Sequence, residues 1–201
     1  MAQTATLSPV ISAPMRILKS LPFLGMHVAC VAVIFTGVHA IDIALCFFLY
    51  FIRMFGITGG YHRYFSHRSF KTSRSFQFVL ACLGCSALQK GPLWWSAHHR
   101  DHHRFSDTED DPHSPIVKSI WHSHVGWVLS SENDEANMNI VKDLRRYPEL
   151  VLLDTLHWVP GILLGVLCFL INGWSGLVVG FVISTVLLYH GTFTVNSLCH
   201  L

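Results

Sequence analysis

The sequence predicts an all-α integral membrane protein, and three observations support this fold class: the composition, the length of the apolar stretches and the distribution of the basic residues. Hydrophobic residues make up 51% of the 201-residue chain and charged residues only 13%, whereas a soluble domain carries about a quarter charged residues. Four apolar stretches, at residues 21–38, 41–60, 151–171 and 174–195, have about the 20 residues that a helix needs to cross a hydrocarbon core.

Short breaks separate these stretches in pairs. His39 and Ala40 lie between the first two stretches, and Asn172 and Gly173 lie between the last two. We therefore expect four transmembrane helices arranged in two hairpins. The segment between the hairpins, residues 61–150, holds most of the polar residues, and we expect it to form a helical domain on the cytoplasmic side.

The basic residues predict the orientation. Arg16 and Lys19 precede the first stretch, and the other twelve lie between residues 53 and 146. By the positive-inside rule, the N-terminus and the polar segment face the cytoplasm. A basic start before an apolar run also resembles a signal peptide, but the second apolar stretch follows at once and favours a hairpin. We expect residues 1–20 to form a mobile tail and residues 21–201 to form one domain.

The histidines give the strongest functional signal, because nine of the fourteen lie in the polar segment. His62 and His67 form an H-x4-H motif at the end of the second stretch. His99, His102 and His103 follow as H-x-x-H-H, and on a helix they project within one arc. Surface histidines near lipid headgroups are the alternative interpretation, but five imidazoles at these spacings are typical of a metal centre.

The residue types narrow the choice of metal. Imidazole suits zinc, copper, iron or nickel, and structural zinc takes four ligands, commonly with cysteine. Cys82 and Cys85 form a C-x-x-C motif, but they lie in the apolar run 76–88, which favours packing over metal binding. The surplus of histidines therefore favours two ions, and two redox metals at a membrane surface suggest O2 chemistry on a lipid. His98 lies at the edge of the same arc and stays ambiguous.

Two segments resemble a known family. Residues 56–68 (GITGGYHRYFSHR) are similar to the first histidine box of the membrane Δ9 fatty acyl desaturases, and residues 99–107 (HRDHHRFSD) are similar to the second. The match continues at residues 111–114 (DPHS), 122–127 (HSHVGW) and 195–200 (VNSLCH). The resemblance covers about residues 40–201, and both boxes with these flanking residues are far more specific than H-x4-H alone.

The resemblance implies a set of metal-binding residues. The implied iron ligands are His62, His67, His99, His102, His103 and His200, and Asn196 is implied to contact one iron through a water molecule. Asn196 and His200 lie four residues apart, so they share a face of a helix. The family's third box, also H-x-x-H-H, does not occur before Leu201. We therefore expect a C-terminally truncated chain, and an inactive fragment is one interpretation of it.

The resemblance also implies a reaction. In it, a di-iron centre uses O2 to introduce a cis double bond, at Δ9, into a fatty acyl chain on CoA or on a membrane lipid. The electrons come from NAD(P)H through a ferredoxin- or cytochrome b5-type carrier, which agrees with the lack of a Gly-x-Gly-x-x-Gly motif. A hydroxylase or ketolase with the same boxes and a metal-binding membrane protein are the alternatives. The net charge of +2 gives no sign of nucleic-acid binding.

Three aromatic residues are candidates for binding the acyl chain. Tyr50 lies twelve residues before His62, about 18 Å along a straight helix. One interpretation is that it limits the chain length, and packing against lipid is the alternative. Trp94 and Trp127 could form part of the wall of an acyl tunnel or anchor the chain at the membrane interface. Metal-bound imidazoles usually donate their other N–H to a carboxylate or a carbonyl. Five acidic residues crowd the second box and could serve, with a solvated acidic loop as the alternative for most of them: Asp101, Asp107, Glu109, Asp110 and Asp111.

Overall fold

The computed structural model describes residues 13–198 except 107, 110, 112, 131 and 132, with side chains from Ser20 onward. Within that part of the chain every regular element is helical. The α-helices are α1 Ala13–Ala29, α2 Val33–Thr36, α3 Ala40–Phe55, α4 Arg74–Ser86, α5 Pro92–Phe105, α6 Trp127–Leu129, α7 Lys142–Arg145, α8 Pro148–Thr155, α9 Val159–Ser175 and α10 Ser184–Leu198. The others are the π-helical segments Gly56–Ser66, His122–Gly126 and Gly176–Ile183, and the 3-10 turns Cys30–Ala32 and Met138–Val141.

Two helical stretches are long and apolar enough to cross a membrane, Ala40–Ser66 with 27 residues and Val159–Leu198 with 40. A shorter apolar stretch covers Ser20–Thr36. The 40-residue stretch is not straight, because Asn172 and Gly173 leave the helical conformation and Gly173 has a φ of +58°. This is the left-handed region that favours glycine, and it places a break where the sequence predicts one.

After this break the chain folds back on α9. Gly176 approaches the backbone carbonyl of Cys168 so closely that a Cβ atom would clash with it, and Gly165 faces the ring of Phe181. In each pair the two residues lie about equally far along the chain before and after the break at Asn172 and Gly173, which is the pattern of an antiparallel hairpin.

The predicted stretch 151–171 differs from the structure. α8 ends at Thr155 and α9 begins at Val159, with Pro160 in its first turn, where the missing N–H of proline leaves no hydrogen bond unmade. The part of α9 before the break, residues 159–171, is about 20 Å long. The N-terminal expectation also changes: α1 begins at Ala13, so the last residues of the predicted tail are helical, while residues 1–12 lie outside the described part.

The break before α3, at His39, and the break at Asn172 lie next to each other, and the buried carboxylate of Asp42 connects them. Asp42 is fully buried and accepts hydrogen bonds from the backbone N–H of His39 at 2.9 Å and from Asn172 Nδ2 at 2.7 Å. His39 precedes α3 in an extended conformation, and its ring also lies 3.2 Å from Ser175 Oγ. These hydrogen bonds hold the start of α3 against the break at Asn172.

A buried arginine connects α3 to its neighbours. Arg53 is fully buried, and its guanidinium donates to Ser86 O at 3.3 Å, Thr185 Oγ1 at 2.7 Å and Ser184 Oγ at 2.6 Å. A buried charge needs such acceptors because its desolvation is unfavourable. The bonds hold α3 against α4 and α10, and so they fix the start of the π-helical segment Gly56–Ser66.

Histidines connect α1 to α10. His27 Nε2 lies 3.1 Å from His190 Nε2, His190 Nδ1 lies 3.1 Å from His124 Nε2, and His124 Nδ1 lies 3.0 Å from Ser197 Oγ. Next to them the ring of Phe23 packs against Tyr189. These contacts place α1 and the segment His122–Gly126 beside the C-terminal half of α10.

Candidate metal centre

The first histidine pair is brought together by π-helical geometry. In an α-helix, residues five apart differ by about 140° around the axis, so His62 and His67 would point in different directions. Here the backbone N–H of His67 donates to the carbonyl of His62 at 3.1 Å, a bond that spans five residues as in a π-helix. The two Nε2 atoms lie 3.0 Å apart.

The α-helix α5 supplies the second pair. His99 and His103 lie one turn apart, and their Nε2 atoms are 3.0 Å apart. His99 Nε2 is also 3.1 Å from His67 Nε2. The coordinating nitrogens of His62, His67, His99 and His103 all lie within 4.8 Å of one another. We call these four residues the four-imidazole cluster.

The cluster has the geometry of a metal site. Two nitrogens bound at about 2.1 Å and at a right angle to each other are about 3.0 Å apart, which agrees with the distances above. The planes of neighbouring rings meet at 76° to 83°, so the rings surround one point without stacking on each other. A neutral imidazole offers one donor and one acceptor nitrogen, and here four Nε2 atoms converge. The donor set fits iron, as it fits other late first-row metals.

The surroundings of the cluster favour the neutral form of its imidazoles, which is the form that binds a cation. Burial, together with the neighbouring imidazoles, lowers the pKa of His99 to about 2. The ring of His99 is therefore neutral at physiological pH, and its lone pair is available to a metal ion.

His102 lies apart from the cluster. On α5 it points about 60° to one side of His99, while His103 points about 40° to the other side. Its Nδ1 atom lies 2.9 Å from Asp111 Oδ1, and the coordinating atoms of His102, Asp111 and His113 lie within 4.8 Å of one another. The structure therefore divides the predicted box: two of its histidines join the cluster, and the third faces a buried carboxylate.

Arg100 fixes the two boxes relative to each other. Its guanidinium donates to Phe65 O at 2.6 Å and Ser66 O at 3.2 Å, which end the π-helical segment. It also donates to Ile140 O at 2.8 Å and to both carboxylate oxygens of Asp143, at 2.8 and 3.1 Å. These five bonds match the five N–H groups of arginine. The sequence predicted no role for this residue.

A cavity of about 1140 Å³ opens beside the cluster. His62 and His99 form part of its wall, and so do Trp94, Trp127 and Asn196. Most of the remaining wall area is apolar, and the residues that form it come from several elements, among them α1, α5, α6 and α10. This volume lies slightly above the range of about 300–1,000 Å³ that is usual for small-molecule sites.

The other predicted residues have distinct positions. Tyr50 is not among the residues that line the cavity, which include Met54 on α3 and Ile57 on the π-helical segment Gly56–Ser66; its hydroxyl lies close to Gly191. His98 lines the cavity but is outside the cluster, and its Nδ1 lies 3.0 Å from Trp94 O. His200 lies outside the described residues.

Comparison with known proteins identifies the family. The family model for fatty acid desaturase matches residues 39–201. An sn-1 stearoyl-lipid 9-desaturase from Anabaena variabilis is 36% identical over 185 residues, which is 90% of this chain and 68% of that protein. An acyl-CoA 5-desaturase from Anemone leveillei is 35% identical over 88% of this chain and 56% of that protein. A hex-5-enoyl-[acyl-carrier protein] acetylenase from Moorena producens is 32% identical over 80% and 54%.

The chain thus spans between about half and two thirds of the length of these relatives. The match includes both histidine boxes and the four-imidazole cluster that they form. The chain belongs to the fatty acid desaturase family.

Proposed function

We propose that this chain is part of a desaturase that uses O2 and two histidine-bound iron ions to introduce a cis double bond, at Δ9, into a fatty acyl chain. The observation that carries the proposal is the convergence of four imidazoles at the wall of a mainly apolar cavity. Membership of the family supports fatty acid desaturation in general, and the two long apolar helices support association with a membrane.

The ligands of one ion would be the four-imidazole cluster. The second ion would be held by side chains outside the cluster: His102, His200 and, through water, Asn196. When bound, iron supplies the oxidising power needed to remove two hydrogens from unactivated methylenes, which no side chain has. The reaction balances when O2, two electrons, two protons and one saturated bond give one double bond and two waters. The electrons would come from NAD(P)H through a ferredoxin- or cytochrome b5-type carrier.

The residues of the chain would bind and orient the substrate. Trp94 and Trp127 stack with their ring centres 6.3 Å apart, and both line the cavity that reaches His99. Trp95 stacks on the His99 ring at 4.8 Å. An acyl chain held along these rings would be kept out of water and in one orientation, which supports a positional preference. The named relatives act on lipid-, CoA- and carrier-protein-linked chains, and we propose CoA or membrane lipid for this chain.

We also propose a multi-pass topology of four spans, with the N-terminus and the metal centre on the cytoplasmic side. The break at Asn172 and Gly173 divides the longest helix into two antiparallel parts. The chain is helical from Ala40 to His62. This helical stretch is about 30 Å long, which is the thickness of a hydrocarbon core. The chain breaks and the metal centre would then lie at opposite faces of the membrane.

The test is the lipid profile of a desaturase-deficient host. One culture expresses this chain, and another expresses an extended form that continues through the next ~100 encoded residues, a length of one further domain-sized segment. We expect new cis-Δ9 fatty acids from the extended form. Hydroxylated or ketone-containing acyl chains in place of alkenes would favour a hydroxylase or ketolase of the same architecture. No new product from either form, with the protein in the membrane and iron supplied, would reject the proposal.

A further inference from the structure

Among the described residues, one buried carboxylate, that of Asp111, contacts the second histidine box. Of the acidic residues around the box, Asp111 is fully buried, while Glu109 is exposed and Asp101 is half-buried. Asp107 and Asp110 lie outside the described residues. A buried carboxylate is stable only when it accepts hydrogen bonds or pairs with a positive charge, so the contacts of Asp111 indicate what it does.

Asp111 Oδ1 has two contacts that fix its role. It accepts the ring N–H of His102 at Nδ1, 2.9 Å away, and the backbone N–H of His113 at 3.1 Å. A carboxylate only accepts, so the Nδ1 atom of His102 must carry the proton. In a neutral imidazole the other nitrogen, Nε2, is then the unprotonated one. The contact therefore selects the tautomer that can bind a metal ion through Nε2.

The surroundings hold His102 in this orientation. The His102 side chain is 3% exposed, and the His113 ring packs against it with ring centres 4.1 Å apart. The carbonyl of His113 accepts the hydroxyl of Ser123, whose Oγ also lies 3.3 Å from the carbonyl of Asn196 on α10. The buried residues around Asp111 thus join the second box to the helix that carries Asn196.

We infer that Asp111 is a positioning residue, which holds His102 in the tautomer and direction needed for the second metal ion and has no direct effect on the four-imidazole cluster. The inference deepens the proposed function and rests on it. Second-sphere carboxylates of this kind commonly change metal affinity by about 10–100-fold. Here the change would affect one ion only, because Asp111 contacts His102 and the backbone of His113, whereas Arg100 orients the cluster.

A cobalt(II) titration of the detergent-solubilised extended form tests the inference, with metal binding followed by visible absorption. The wild-type protein is expected to show two binding steps. Asp111→Asn keeps the shape of the side chain and removes its charge, and we expect it to weaken one step by about 10–100-fold and leave the other unchanged. Glu109→Gln, which removes an exposed carboxylate two residues away, is the matched control and is expected to change neither step.

A double-mutant cycle separates positioning from direct ligation. His102→Ala removes the ring that Asp111 orients, so adding Asp111→Asn to it should cause no further loss of affinity. A further loss in that background would make Asp111 a metal ligand and overturn the inference. An unchanged titration of Asp111→Asn, or an equal loss of both steps with a lowered melting temperature, would also overturn it. Failure of the wild-type protein to bind cobalt would instead reject the proposed metal centre itself.

Discussion

At the scale of single residues, the chemistry of the site depends on which nitrogen of each imidazole is free. Four Nε2 atoms lie close together, and in His102 the hydrogen bond from Nδ1 to Asp111 makes Nε2 the unprotonated nitrogen. In the proposed function, the selectivity of the cavity depends in the same way on individual side chains, since a change of one methylene in an apolar pocket alters selectivity by about 10–200-fold.

The cavity wall on α3 gives the first prediction. Met54 lines the cavity, and Tyr50, one turn earlier, packs near Gly191. Met54→Ala should enlarge the cavity and raise the preference for a chain one methylene longer by roughly tenfold. Tyr50→Ala is the paired variant, with the same direction and a smaller effect. Product chain lengths in the desaturase-deficient host measure both, and an unchanged profile for both would show that α3 does not limit the chain.

At the scale of elements, the site exists because a π-helical segment and an α-helix are held in one fixed relation. The π-helix places His62 and His67 on one face, and α5 places His99 and His103 on another. The N-terminus of α5 is fixed by Asp154 of α8, whose carboxylate accepts the backbone N–H groups of residues 93 and 94 at 2.9 and 3.0 Å. A carboxylate at this position also interacts favourably with the helix dipole.

Arg100 connects the two elements, so its replacement should separate them. Lysine keeps the charge but cannot reproduce five bonds in a fixed plane. Arg100→Lys should lower the stability by about 2 kcal/mol or more and weaken metal binding by the cluster. Arg104→Lys changes an exposed arginine of the same helix and should have neither effect. Thermal unfolding in detergent together with metal titration gives both values, and equal metal affinity in the two variants would contradict the role of Arg100.

The ion pair between α4 and α8 predicts a pH dependence. Arg74 donates to both oxygens of Glu149, at 2.6 and 2.8 Å, and this pairing lowers the pKa of Glu149 to about 2 from its ordinary value of 4.5. Because the folded-state pKa is the lower one, the pair stabilises the fold above about pH 4.5, and this contribution is lost as the pH falls towards 2.

Glu149→Gln tests that dependence. The melting temperature of the wild-type protein should exceed that of the variant by a small, constant amount at neutral pH, since the pair is at the surface. The difference should shrink between about pH 4.5 and pH 2. A difference that grows with acid would contradict the assignment.

At the scale of the whole molecule, some features followed from the sequence and others did not. The spacing of the histidines predicted a metal site, and four of the five histidines of the two boxes lie within 4.8 Å of one another; that they bind a metal stays a prediction. The breaks at His39 and at Asn172 predicted where the apolar stretches turn. The break between α8 and α9 was missed because Pro160 lies inside a mostly apolar run. Whether this proline begins a new helix depends on where the preceding helix ends, which the sequence does not show. The π-helix was missed because H-x4-H alone does not show whether five residues close one turn.

Tertiary packing decides the remaining features. Five acidic residues crowd the second box in the sequence, and only the folded chain distinguishes the buried Asp111 from the exposed Glu109. Arg100 carried no signal because its partners, among them Asp143, come from three separate segments. The cavity wall combines α1, α5 and α10, so the sequence could not show that Met54 lines it.

The most direct test of the central claim is the iron content of the purified protein and of single histidine variants. His67→Ala and His103→Ala each remove one nitrogen from the four-imidazole cluster, and His98→Ala removes a neighbouring imidazole outside it. We expect iron to be retained by the wild-type protein and by His98→Ala, and to be largely lost from the other two. Equal iron content in all four proteins, or loss in His98→Ala alone, would contradict the claim that these four residues bind the metal.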